Sequence, residues 1–145
     1  MKKILLDLNI ILDFLNKRHD HVSAAKVFDL CIKKNLKGHM CSHEITTLSY
    51  FLGKEHYSQQ KFKKTLLNIL DNFTIISAIE SVFRKALDSK IDDFEDAVIE
   101  ESAYKEKLEC IITRNLDDFK KSKVPAYTAG EFLALIGVDL SGGAV

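Results

Sequence analysis

The chain has 145 residues, enough for one compact domain that buries roughly 70% of the surface its unfolded form exposes, with no need of disulfide or metal staples. Lysine and arginine total 21, as do aspartate and glutamate, so bulk charge neither announces nor excludes a nucleic-acid partner, which must be sought in local patches. Every apolar run falls short of the ~18 residues a membrane helix needs, and the one that opens the chain is cut at Asp7 before a signal-peptide core could form, so a cytoplasmic protein is expected.

In chain order, residues 3–6 read as a buried strand that hands over at Asp7 to a helix containing Ile10, Ile11 and Phe14. Val22, Ala25, Phe28 and Ile32 then recur at helical spacing, with Gly38 placed to terminate that helix. Residues 39–41 form a second strand, followed by a helix through Leu48 and Phe51. Ser58 stands where a cap is expected before the helix of Phe62, Leu66, Ile69 and Leu70, and residues 73–76 supply the third strand. Asp92 is the expected cap of a helix carrying Ala97, Val98, Glu101 and Ala103, with Leu108 beyond. Residues 110–113 and 124–127 complete the strands. Alternating strands and helices predict one α/β domain over residues 1–145, a three-layer α/β/α arrangement with a central parallel sheet of about five strands. The last few residues are expected to form a loose tail. Cys31, Cys41 and Cys110 are odd in number and lack Cys-x-x-Cys spacing, so they read as buried, reduced thiols.

In parallel sheets, ligands gather beyond the C-terminal strand ends, which singles out acids at those ends. Asp7 is the first; Asp7 or Asn9 could also be simply a helix cap. Asp93 and Asp96 come next, three positions apart on one helical face, whereas Asp92 and Glu95 read as charges that favour a first helical turn through the dipole. Asn115 and Asp118 follow the fourth strand in the same way, and Glu44 follows the second, where its spacing of two from Ser42 does not make a capping box. Unit charges ~4 Å apart interact by about 4 kcal/mol at an effective dielectric of 20, so carboxylates converging on one pocket imply a cation. An oxygen-only donor set favours Mg²⁺ or Mn²⁺ over zinc, and His19, His21, His39, His43 and His56 show no ligand spacing. Lys33, Lys34 and Lys37, then Lys61, Lys63 and Lys64, then Lys120, Lys121 and Lys123 are candidate basic rims for an RNA substrate.

These residues resemble a known family. The run Leu5-Leu6-Asp7-Leu8-Asn9-Ile10-Ile11-Leu12-Asp13 is similar to the opening of PIN domains, Asp93-Phe94-Glu95-Asp96-Ala97 resembles their D-x-x-D-A helix, and Ile112-Thr113-Arg114-Asn115 with Asp118-Phe119 resembles their closing segment. The resemblance spans nearly the whole chain and extends to the toxins of VapBC-type toxin–antitoxin pairs. It implies an Mg²⁺- or Mn²⁺-dependent ribonuclease with metal ligands at Asp7 and Asp96, Asp93 close by, and Asn115 or Asp118 at the fourth corner. It also implies a small antitoxin partner and a homodimer, for which Tyr50, Phe51 and Tyr57 are candidate contacts. Two positions depart from the pattern: Leu8 replaces a small hydroxyl residue, and the family's second acid falls on Thr47, with Glu44 one helical turn earlier. A haloacid-dehalogenase-like phosphatase would want an Asp where Asn9 stands, and a phosphorelay receiver would want one after the third strand. The remaining alternative is a PIN-like module that has lost catalysis and acts through protein or RNA binding.

Overall fold

A computed structural model of the chain describes residues 2–140. The elements run β1 (Lys2–Leu6), α1 (Leu8–Asn16), α2 (His21–Ile32), β2 (Leu36–Cys41), α3 (Ser42–Lys54), α4 (Gln59–Asn72), β3 (Thr74–Ile76), α5 (Glu80–Leu87), α6 (Phe94–Lys105), β4 (Cys110–Ile112), a 3-10 turn (Leu116–Phe119), β5 (Ala126–Tyr127) and α7 (Ala129–Leu135). The expected tail at 141–145 lies outside the described residues.

All five strands are parallel, in the order β3-β2-β1-β4-β5. Side chains alternate across the sheet. Ile4, Leu6, Met40 and Ile112 face a core shared with α1, α2 and α7, whereas Leu5, Cys41 and Ile111 face one shared with α5 and α6. The three-layer α/β/α expectation therefore holds. The chain first builds outward through β2 and β3, then returns across β1 to place β4 on its other side. Strand order reverses between β1 and β4, so the crevice beyond their C-terminal ends is where this topology puts a ligand. Asp7 follows β1 there, and its amide donates to Ile112 O of β4 at 2.9 Å.

Several local expectations are corrected. Gly38 does not end α2 but lies inside β2, where an added Cβ would sit 2.6 Å from the Phe73 ring and 2.9 Å from Cys31 Sγ; close packing explains the glycine. The turn after α2 is made instead by Lys34, at a φ of 63°. The buried stripe of α2 is Ser23, Ala24, Val27, Phe28 and Cys31, which leaves Val22 and Ile32 exposed. Leu70 is likewise exposed on α4, and Tyr57 packs partly against the core. The cap of α6 is Asp93 rather than Asp92: its carboxylate accepts from Asp96 N at 3.0 Å. Ser58 caps α4 as expected, and all three cysteines are buried free thiols. None of the described helices is long and apolar enough to cross a membrane.

Candidate active site

Asp7 caps α1 and is nearly buried at the β1–β4 crevice. One carboxylate oxygen accepts from Leu8 N at 2.8 Å; the other accepts from Thr113 Oγ1 at 2.8 Å and Asn9 Nδ2 at 3.1 Å. Thr113, wholly buried at the end of β4, also accepts the Asn115 amide through its hydroxyl at 3.1 Å. Asn9 Oδ1 takes the Arg114 amide at 3.1 Å, and Arg114 Nε donates to the buried Asp13 at 2.9 Å. Two sequence-distant loops are thus tied together around one carboxylate. Capping and site geometry coincide in Asp7, because both arise from a strand that ends where a helix begins.

Glu44 comes to the same place from α3. It is 1% exposed, and Oε1 accepts from Cys41 N at 2.9 Å, which closes the reciprocal half of a capping box with Cys41 rather than Ser42. Its Oε2 is buried with no hydrogen-bond partner. Burial first, and the neighbouring Asp7 second, raise its carboxyl well above the ordinary range, and the Leu8 amide acts on both acids. Thr47 donates its hydroxyl to His43 O along the same helix, at 3.0 Å.

The N-terminus of α6 brings in the third group. Asp96 is half-buried and pushed up to about 7, by burial and then by Asp7, Asp93, Asp118 and Glu95. Asp7 is raised by burial and by Glu95 and Asp118, against the opposing effect of its hydrogen bonds from Thr113 and Leu8. Asp93, Asp96 and Asp118 line a cleft of about 220 Å³ with Asp92, Asp117, Lys90, Lys120 and Lys121. Asn115 is exposed and reaches the cluster through its amide; among the described residues its side chain makes no hydrogen bond.

Asp7, Glu44, Asp93, Asp96 and Asp118 therefore act on one another, and the sequence reading missed four further participants. Glu95, read as a helix-dipole charge, raises Asp7, Glu44 and Asp96. His43 faces Glu95, with burial holding its imidazole below the ordinary range and Nε2 without a partner. Thr113 and Asn9 orient Asp7, a role that only the pairing of β1 with β4 makes visible. Among the described residues, no group of three or more His, Cys, Asp or Glu side chains is gathered closely enough to hold a metal ion as it stands.

A family model for the PIN domain matches residues 3–117. The chain belongs to the PIN-domain family. PIN domains are generally nucleases, so membership supports hydrolysis of a phosphodiester. No curated relative matches the sequence significantly. Among solved structures, this PIN domain is similar to VapBC2 from Rickettsia felis bound to a DNA fragment from their promoter, at 23% identity and a TM-score of 0.64, covering 87% of this chain and 98% of that one. A toxin–antitoxin complex from Klebsiella pneumoniae matches at 22% identity and a TM-score of 0.66, covering 87% and 97%. DNA-bound VapBC from Salmonella typhimurium matches at 17% and 0.61, covering 89% and 99%. At these identities the likeness is one of fold.

Proposed function

We propose that this PIN domain is a metal-dependent ribonuclease and the toxin of a toxin–antitoxin pair. The observation that carries the reading is Glu44: a carboxylate almost wholly buried, with one oxygen lacking a partner, beside the buried Asp7, which also acts on Asp96, and within the field of Glu95. Removing ions from water without a partner costs several kcal/mol each, so such a set is explained by a missing counter-charge. Oxygen donors alone suit a hard divalent cation, Mg²⁺ or Mn²⁺, and the residues present fit it in chemistry. Asp7 and Asp96 would hold the ion, with Asp93 beside them and Glu44 in the place of the acid absent at Thr47.

When bound, the ion would supply Lewis-acid charge to a phosphodiester and a nucleophile from water near neutral pH. The chain's own contribution is positional. Thr113 and Asn9 fix the Asp7 carboxylate, Asp93 fixes the first turn of α6, and the Asn115 amide holds the Thr113 hydroxyl. Asp118, on the cleft wall, would orient water, and Lys90 and Lys121, which line the same cleft, would offset substrate charge. The lost-catalysis alternative rests on Thr47, and buried Glu44 weakens it.

The antitoxin partner is supported by the complexes that share the fold, and action on RNA would place the protein in the cytoplasm. Tyr50 and Phe51, exposed together on α3, are where a second copy would dock. The test is cleavage of a mixed single-stranded RNA pool by protein free of contaminating nuclease. Cleavage is expected with Mn²⁺ or Mg²⁺ and should stop in chelator; undiminished cleavage in chelator refutes the metal reading, and no cleavage with either ion favours the lost-catalysis alternative.

A further inference from the structure

Beyond the acidic cleft lies a second and larger concavity, of about 540 Å³, lined by Lys85, Lys90, Lys121 and Lys123 with Asp88, Ser89, Glu100 and Glu101. The two share Lys90 and Lys121, so they are continuous. Of the four lysines, Lys123 is committed: its ammonium is paired with buried Glu101 and lies over the Tyr104 ring. Lys85, Lys90 and Lys121 are exposed and have no ion-pair partner among the described residues.

Two of the three acids of this cleft, Glu100 and Glu101, are spent within the fold, and the third, Asp88, is exposed beside three unpaired lysines. Glu100, 2% exposed, receives the Ser89 hydroxyl on one oxygen at 2.6 Å and the Lys123 amide on the other at 2.7 Å. Ser89 Oγ in turn accepts the Ile91 amide at 3.0 Å. One buried carboxylate therefore staples the loop bearing Lys90 to the loop bearing Lys121, and holds both ammonium-bearing segments beside α5, whose last turn carries Lys85. A site whose geometry is fixed before binding loses less freedom when it is filled.

We propose that Lys85, Lys90 and Lys121 form a groove that holds the phosphate backbone of single-stranded RNA on one side of the acidic cleft, with Glu100 as the residue that positions it. This rests on RNA being the substrate. A line of unpaired cations leading away from a carboxylate site suits a chain of phosphates, and a concavity admits a flexible strand more readily than a rigid duplex. The other lysine cluster at a strand end, Lys33, Lys34 and Lys37, lies at or before the N-terminal end of β2, whereas Asp7 follows the C-terminal end of its parallel neighbour β1.

The test is fluorescence anisotropy of a short labelled single-stranded RNA with the full chain in chelator, where binding is read without cleavage. Each phosphate contact on a single strand contributes about 0.7 to the slope of log affinity against log salt, so K85Q/K90Q/K121Q should flatten that slope by about 2 and weaken binding at low salt by at least about tenfold. K33Q/K34Q/K37Q removes the same charge and should leave both unchanged. Glu100→Gln, which keeps an acceptor for Ser89 but weakens the staple, should reduce affinity less than the triple variant. Equal affinity and slope in the cleft variant, an equal loss in the control, absence of binding by wild type at low salt, or equal affinity for a duplex of the same sequence would each overturn the groove. Failure of the nuclease reading would appear separately, as binding retained without metal-dependent cleavage.

Discussion

Glu100 and Glu101 lie deeper in the protein than Asp96, little more than one turn nearer the N-terminus of the same helix, yet the deeper pair has partners within the chain and the shallower acid does not. Glu101 has the Lys123 ammonium, and Glu100 has a hydroxyl and an amide. Asp96 has no hydrogen bond or ion pair to its carboxylate among the described residues, and burial, then Asp7, Asp93, Asp118 and Glu95, drive it up to about 7. Burial of an acid is therefore no sign of function in this fold. What separates the two regions is whether the chain itself supplies the compensating group, and at the β1–β4 crevice it does not.

The widest gap between the regions should appear on neutralising one acid in each. Asp96→Asn should lower RNA cleavage by more than about 100-fold, because even partners that only support metal ligands are worth 10–100-fold. The same variant should melt no lower than wild type in the absence of metal, since it relieves repulsion. Glu44→Gln keeps an acceptor for the Cys41 amide and should weaken Mn²⁺ binding by about tenfold or more with the fold intact; wild-type affinity would return Glu44 to a purely structural role.

At the other end of α6, Glu101→Gln removes one half of an ion pair whose acid is buried and whose lysine is partly exposed. We expect a loss of about 1–3 kcal/mol in denaturant unfolding, below the range for a fully buried pair because water reaches Lys123. Unchanged stability would mean that the two regions do not differ as described. Gly38→Ala is a control in the opposite core, where the Phe73 ring must yield to a Cβ; a cost of about 1–3 kcal/mol is expected from overpacking.

The smallest effect is one of pH. The Asp96 carboxyl has an ordinary value of 3.8 and lies at about 7 in the fold, so the folded state holds its proton more tightly than the unfolded one. Stability from this group is complete below 3.8 and is lost as pH rises through about 7. Metal-free wild type should therefore lose stability across that window, and Asp96→Asn should lose less; identical profiles would remove Asp96 from the cluster.

The strand runs, the crossovers between them and the acids at strand ends were legible because period-two burial and the β-to-α handover are local patterns. Asp7, Asp93 and Asp96 stand out in the chain for that reason. What was not legible depends on contacts across the sheet. Thr113 becomes a partner of Asp7 only because β4 returns to the far side of β1, and Glu100 finds the Lys123 amide 23 residues away. Glu95 was misread because a first-turn acid serves the helix dipole whether or not it faces a crevice. Gly38 was misplaced because its close approach to Phe73 and Cys31 is a tertiary contact, and the α2 stripe because the buried face, though at helical spacing, runs through the small residues Ser23 and Ala24 instead of Val22 and Ile32.

The central claim is that the chain lacks a counter-charge at one end of α6 and not at the other, and calorimetric titration of Mn²⁺ above pH 7 tests it most directly. Wild type and Glu101→Gln should bind with the same affinity, and Asp96→Asn should bind at least about tenfold more weakly. Equal heats from wild type and Asp96→Asn, or no binding by wild type at all, would contradict it.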